Sequence, residues 1–343
     1  MILNRHLLSW ISGVSRIVGA AGIVAATVFA AIGASLAAQS RTIAITIDDL
    51  PFVTESDMPK GPQDAPVAIA ANRKLLNALT RHRVPVTGFV NEKRVALLGM
   101  QDGAQILKSW LERGEDLANH SYAHPDFNTL SVERFEDEIV RGETTIVPLM
   151  QAAGRKVEFF RFPFNHTGDT EAKHSAIMEF LSQRGYRLAP CTIETSDWLF
   201  AAAYDRMAAD HDRSSQARLR REYLAFTAAQ IDYFSRMNAE VLGYEPPEIV
   251  LLHDNQLNAD VMDQILSLYE KRGYKWVSLA EAERDPVYQA PDTVVTKYGP
   301  MWGYRWAQER GKKVDSSKEP EPPAWISAYG NAQVTARRPR GSF

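Results

Sequence analysis

Along the chain, short runs of β-branched and apolar residues alternate with longer stretches in which apolar positions recur every three or four residues. Residues 42–47, 84–90, 116–118, 157–162, 249–252 and 275–277 read as strands, and 186–193 holds one strand or two short ones. Between them the helical period predicts helices over 68–81, 131–150, 171–184 and 260–271, with one or two charged helices over 204–242. Asp102 with Gln105, and Ser278 with Glu281, have capping-box spacing, the first ahead of an apolar-periodic segment running to Glu112. Strands alternating with helices predict an α/β protein with a mainly parallel sheet, open or closed.

Composition narrows the class. A chain of 343 residues suggests one large domain or two small ones, and 45% hydrophobic content suffices for a sizeable core. A formal charge of −3 leaves no basic excess for a phosphate backbone, so nucleic acid is not an expected partner. Cys191 is the single cysteine, so an internal disulfide and a cysteine zinc cluster are both excluded, and any metal must be held by histidines and carboxylates.

At the N-terminus, Arg5 and Arg16 precede an apolar stretch that closes on the small residues Ala34-Ser35-Leu36-Ala37-Ala38. Residues 1–38 therefore read as a signal peptide cleaved near Ala37 or Ala38, as a membrane anchor through residues 17–38, or as a core helix. The anchor reading rests on about 20 apolar residues being enough to span a bilayer. Either of the first two exports the remaining chain, to the periplasm or as a secreted or membrane-anchored protein. At the other end, 286–343 reads as a partly disordered C-terminal extension. Within it, 312–323 has the Lys, Ser, Glu and Pro content of a linker or surface tail, and 337–343 is a frayed basic end.

The polar residues fall where chemistry would need them. Asp48-Asp49, His120, Arg161 and His253 each stand at or just after the C-terminal end of an expected strand, the rim where parallel α/β folds place ligand sites. Adjacent buried carboxylates need positive compensation, which a divalent cation supplies, although Asp-Asp also serves in turns and helix caps. His120 and His124, four apart, can present two nitrogens from one helical turn, or be surface or hydrogen-bonded histidines. His253 suits proton transfer near neutrality, or a satisfied place in the core. Arg161 and Asp197-Trp198 have bland readings too, as a surface ion pair and an exposed loop pair.

Together these segments carry a resemblance. Thr46-Ile47-Asp48-Asp49-Leu50, His120-Ser121-Tyr122-Ala123-His124, Arg161-Phe162-Pro163-Phe164-Asn165, Thr195-Ser196-Asp197-Trp198 and Leu251-Leu252-His253 resemble, in order, the five motifs of the NodB-homology polysaccharide deacetylases, carbohydrate esterase family four. The resemblance implies a distorted (β/α) barrel over 42–285, with a helical insertion at about 199–248. It implies a site in which Asp49, His120 and His124 hold a divalent metal, Zn2+, and Asp48 is the general base oriented by Arg161. It further implies His253 as general acid supported by Asp197, and Pro163, Phe164 and Trp198 against the substrate, with the Phe164 N–H helping to hold an oxyanion.

The function so implied is metal-dependent hydrolysis of acetyl groups on N- or O-acetylated carbohydrate. The alternatives are an amidase acting on a small non-sugar C–N bond with the same site, and a glycan-binding protein without turnover. Leu50 and Phe164-Asn165 depart from the family's usual Gly and Tyr-Gly. The long insertion hints at a short glycan or small amide. His166 and Asp254 adjoin motifs and are either substrate contacts or ordinary surface residues.

Overall fold

The computed structural model describes residues 41–54, 57–326 and 328–329; the expected signal or anchor at 1–38 and the basic end at 337–343 lie outside the described residues. Strands β1 (Thr42–Leu50), β2 (Val86–Val90), β3 (Asp116–Asn119), β4 (Phe159–Phe160), β5 (Arg187–Leu188), β6 (Ile193–Glu194), β7 (Glu248–His253) and β8 (Lys275–Trp276) form one sheet. Every pairing between them is parallel, in the order β5-β4-β3-β2-β1-β7-β6, with β8 beside the start of β1.

β5 and β6 are consecutive in sequence yet occupy opposite ends of this order. The link from Leu188 to Ile193 is five Cα steps, which reach roughly 18 Å at about 3.6 Å each. So short a link forces the two ends of the sheet together. The sheet is a distorted (β/α) barrel with a seam between β5 and β6.

Helices α1 (Ala65–His82), α2 (Glu92–Leu98), α3 (Met100–Leu111), α4 (Val132–Arg141), α5 (Ile146–Ala152) and α6 (Glu171–Gln183) follow the first four strands. α7 (Asp197–Ala209) and α8 (Arg213–Leu242) both lie between β6 and β7, where the sequence predicts its insertion. α9 (Gln256–Glu270), α10 (Leu279–Ala282), α11 (Pro286–Gln289) and α12 (Trp302–Glu309) complete the set. Covered on both faces, β1 is buried almost end to end, as parallel strands are. Its alternation sends Ile43, Ile45 and Ile47 into the main core, while Ala44 packs with Phe89, Ala118 and Ile249 inside the barrel. Thr46 and Asp48 share Ala44's parity and so face the interior.

Three expectations are revised. The helix over 131–150 is two helices. Between them Thr144 Oγ1 donates to Arg141 O (2.8 Å), a local bond that competes with helix continuation, and Thr145 Oγ1 donates to Glu92 Oε1 (2.7 Å), a tertiary tie to the start of α2. The Asp102–Gln105 box is not formed. α3 starts earlier, at Met100, with Gly99 as an N-cap that has no side chain to contribute, and Asp102 sits in the first turn, where its charge suits the helix dipole. The Ser278–Glu281 box does form.

The third revision concerns the C-terminal extension, which packs on the barrel as far as it is described. Trp302, Trp306 and Ile326 are buried, and α12 lies against α8. The supposed linker is tied down because Lys312 Nζ donates to Val241 O (2.7 Å), one of the last carbonyls of α8. Among the described residues no helix is long and apolar enough to cross a membrane.

Gly142 marks a close approach between α4 and the loop after β3. A Cβ there would stand 2.5 Å from Asn119 Oδ1 and 2.9 Å from the Ser121 carbonyl carbon. Gly142→Ala is therefore expected to cost about 1–3 kcal/mol, the usual range for overpacking, read as a lower urea midpoint at unchanged slope. An unchanged midpoint would contradict this packing.

Candidate active site

The five motif segments meet at the C-terminal rim of the barrel. Consecutive strand residues normally point to opposite faces. At Asp48-Asp49 the β1–β2 register shifts between Ile47 and Leu50, and Asp49 takes a left-handed backbone (φ 65°) that Asp tolerates better than most residues. Both carboxylates consequently reach the same cavity.

Behind Asp48 stands Arg161, fully buried. Its Nη1 donates to Asp48 Oδ1 (2.7 Å) and to Thr46 Oγ1 (2.6 Å), two side chains on the inner face of β1. Nε and Nη2 donate to the carbonyls of Ala189 (3.3 Å) and Pro190 (3.1 Å) in the seam link, and the guanidinium lies over the Phe89 ring at 4.2 Å. Burial would lower the Arg161 pKa, but the Asp48 charge outweighs it and the net shift is upward. The guanidinium stays charged.

His120 follows β3. Its Nδ1 lies 2.8 Å from Arg161 O, a carbonyl that can only accept, so the proton sits on Nδ1 and Nε2 keeps its lone pair. His120 and His124 do not share a helical turn as expected. Ser121 and His124 both have positive φ (69° and 56°), and a tight loop brings the two rings to 4.9 Å. Asn119 accepts from the Ser121 N–H, and Glu138 accepts from the Ala123 N–H at 2.7 Å, which pins the loop to α4.

Asp49 Oδ1 lies 3.8 Å from Nε2 of both His120 and His124, and the three ligand atoms fall within 4.8 Å of one another. That oxygen is buried without a hydrogen-bond partner. A buried anionic oxygen left without a donor is costly unless something else compensates it. Burial alone would raise the Asp49 pKa, yet Arg94, His124 and His120 hold it well below the usual carboxylate range. Burial, against the pull of Asp49, brings His124 down to about 4, so it is a neutral imidazole near pH 7. A carboxylate and two imidazoles, each with Nε2 turned toward the same point, are a donor set that fits a divalent metal.

Beside Asp48, His253 ends the neighbouring strand β7 as its register partner. Its Nδ1 lies 2.7 Å from Asp197 Oδ1, and its backbone N–H donates to Asp197 Oδ2 (2.7 Å). Asn255 Nδ2 and Asn258 Nδ2 also donate to Oδ2. Burial works against protonation of His253, but the Asp197 charge prevails and pushes its pKa up to about 10.

The cavity above these groups has a volume of about 910 Å³. Phe164 and Trp198, 53% and 58% exposed, line it. Pro163, expected against substrate, does not: it opens the turn at its first position, where a fixed φ is suited, and it is buried. Neither His166 nor Asp254 lines the cavity. His166 pairs with Asp126, and Asp254 is fully buried.

A family profile described as polysaccharide deacetylase matches residues 36–184. Over that stretch the chain is similar to the NodB-homology polysaccharide deacetylases, carbohydrate esterase family four. It is 24% identical over 127 residues to a peptidoglycan-N-acetylglucosamine deacetylase of Bacillus cereus, covering 36% of this chain and 40% of that one. It is 35% identical over 66 residues to the peptidoglycan-N-acetylmuramic acid deacetylase PdaA of Bacillus subtilis, covering 19% of this chain and 23% of that one. The chain thus matches less than half the length of either. A solved structure of a family four pseudoenzyme from Bacillus anthracis superposes with a TM-score of 0.46 at 17% identity, over 71% of this chain and 66% of that one.

Other residues around this cavity escaped the sequence reading. Arg94, fully buried on α2, places Nη2 3.0 Å from Asp49 Oδ2 and 2.8 Å from Asp57 Oδ1. Its signal was position: it lies just past the end of β2, on the same rim as the others. Asn255 and Asn258 had the same kind of signal, following β7 as the N-cap and first turn of α9.

Divalent transition-metal ions are expected to raise the melting temperature of the protein, by the equivalent of about 2.7 kcal/mol when the ion is at ~100 times its Kd. His120→Ala should abolish the rise and Asp48→Asn should keep it. An equal rise in His120→Ala would rule out this donor set.

Proposed function

We propose that this protein hydrolyses acetyl groups from N- or O-acetylated carbohydrate, with a divalent cation, Zn2+, held by Asp49, His120 and His124. The observation that carries the reading is the unpartnered Asp49 oxygen between two imidazoles, with a proton acceptor and a proton donor on either side. Bound there, the ion would supply Lewis-acid polarisation of the acetyl carbonyl and a lower pKa for water.

The chain's own residues do the rest. Asp48, held by Arg161, takes the proton of the attacking water. The arginine keeps that carboxylate oriented and charge-balanced while the proton transfers. His253 protonates the leaving nitrogen or oxygen from Nε2, because Asp197 fixes the other proton on Nδ1. The Phe164 N–H contributes to binding the oxyanion, and Phe164 and Trp198 shield the acetyl group from water. A glycan-binding protein without turnover would need neither the Arg161–Asp48 pair nor the Asp197–His253 pair, which argues against that alternative. An amidase acting on a small non-sugar substrate would use the same groups, so a substrate panel decides between them.

The printed names of two relatives refer to peptidoglycan, which supports a site of action outside the cytoplasm, in the periplasm or beyond. The basic start and apolar stretch before residue 38 support export in the same sense.

Acetate release from a panel of acetylated glycans tests the reading. Asp48→Asn should retain metal and lose about 10²–10⁴ in kcat, the usual share of a general base. Full activity in Asp48→Asn would reject the assigned roles.

A further inference from the structure

The rim of the barrel has one place where no strand pairing closes it, the seam between β5 and β6. Segment 290–305, outside residues 36–184, is seated there. On the β4 side, a Cβ at Gly299 would stand 1.8 Å from Phe164 O, so backbone rests directly on backbone. Arg305 Nη2 donates to Asn165 O (2.9 Å), and Nη1 to Thr167 Oγ1 (3.1 Å) and Asp292 Oδ2 (2.8 Å). At the seam itself the Trp302 N–H donates to Cys191 O (2.8 Å). On the β6 side, the Tyr304 hydroxyl donates to Glu319 Oε2 (2.6 Å) and lies 2.8 Å from the Tyr233 hydroxyl of α8.

This segment also lines the active-site cavity, through Gly299, Pro300, Met301 and Tyr304. The remaining walls come from β1, the loop after β3, the turn after β4, β6 with α7, and β7. These follow the sheet order around the rim, and the segment completes the circuit between its two ends. A long glycan bound by an interior unit needs a groove open at two ends. Here the seam end of the rim is filled by anchored backbone and by aromatic and thioether side chains. The volume of about 910 Å³ is at the upper end of small-ligand sites, which run to about 1,000 Å³.

We propose that segment 299–304 is a stop wall that confines the reaction to short acetylated oligosaccharides, with Met301 and Tyr304 as the specificity-determining side chains and Arg305 as a positioning residue for the wall. The proposal rests on the hydrolytic reading above and adds the length of the substrate to it.

The test is kcat/KM for acetate release from a dimer and a hexamer of a β-linked N-acetylhexosamine, alongside a small activated acetyl ester, using the metal-loaded protein. The wild type should favour the dimer by about tenfold or more, the size of effect a shaped pocket gives. Met301→Ala and Tyr304→Ala should each narrow that ratio by about fivefold through better use of the hexamer, a selective change that a general loss of stability does not produce. Met301→Ala touches no hydrogen bond, so it keeps the test open should Tyr304→Ala fail to fold. A wild type that uses the hexamer as well as the dimer overturns the stop wall and leaves the hydrolase standing. So does a ratio that stays put in a folded Met301→Ala. No acetate from the ester or either glycan overturns the hydrolytic reading and this inference with it.

Discussion

The buried guanidinium of Arg161 is the constraint on which the site and much of the barrel depend. One edge of it holds Thr46 and Asp48 on the inner face of β1, and the other holds the two carbonyls of the seam link. A charge so placed is tolerable only because a carboxylate faces it and its donors are occupied. The same side chain therefore ties the Asp48 carboxylate to the seam of the sheet. Its backbone carbonyl also accepts from His120 Nδ1, which sets the tautomer that leaves Nε2 free. A single residue thus fixes the orientation of a base and of a metal-ligand candidate.

The rim pays for its geometry in backbone strain. Asp49, Ser121, His124, Phe164, Asn165 and Ser196 all adopt positive φ, and each belongs to one of the segments around the cavity. Such conformations cost non-glycine residues energy and persist where the surroundings over-determine them. The surroundings here are specific: the Asn119–Glu138 tethers for the histidine loop, Arg305 for Asn165, and the Glu194 carboxylate that accepts from the Ser196 N–H at 2.7 Å. Asn165 stands where the family motif has glycine, and its φ of 54° accounts for the usual choice of residue. The strap at the seam supplies the stabilisation that a glycine would have made unnecessary.

What the sequence conveyed was the period of the strands and the chemistry at their ends. β1 and β7 were legible because each is a continuous apolar run closed by a polar residue, and so were Asp48, Asp49 and His253. The two-residue strands β4, β5 and β6 were legible only as apolar stretches, since a strand that short has no period to read. The spacing of His120 and His124 suggested a helical turn; left-handed residues produce the same proximity without one, and only Gly commonly advertises such a backbone. Arg94 was missed because an arginine four residues past a strand looks like any exposed helix start. Its burial arises from Asp49 and Asp57, two tertiary partners that local pattern cannot supply. Beyond Asp285 the pattern gave no clear order, because what holds 290–305 is tertiary: Arg305 on the Asn165 carbonyl and the Trp302 backbone N–H on the Cys191 carbonyl.

Two adjacent carboxylates with different tasks need different environments, and each has its own arginine. Asp48 meets Arg161 through Oδ1, with Oδ2 3.7 Å from His120 Nε2. Asp49 meets Arg94 through Oδ2, leaving Oδ1 toward both imidazoles. With Asp49 so occupied on one side, only one of its oxygens is available to a cation, which suits a single ligand bond better than a chelate. Asp48 keeps an oxygen facing the cavity where a water proton would have to go. The bulge at this point of β1 is what makes the division possible, because without it one of the two side chains would turn into the helix layer. Asp197 applies the same logic at the end of β7, where its carboxylate accepts from the His253 backbone N–H and from Asn255 and Asn258 and pairs with His253 Nδ1. Asp48 with Arg161, Asp49 with Arg94 and Asp197 with His253 thus form matched pairs, and among the carboxylate oxygens of these pairs Asp49 Oδ1 is the one that faces the two imidazoles without a hydrogen bond.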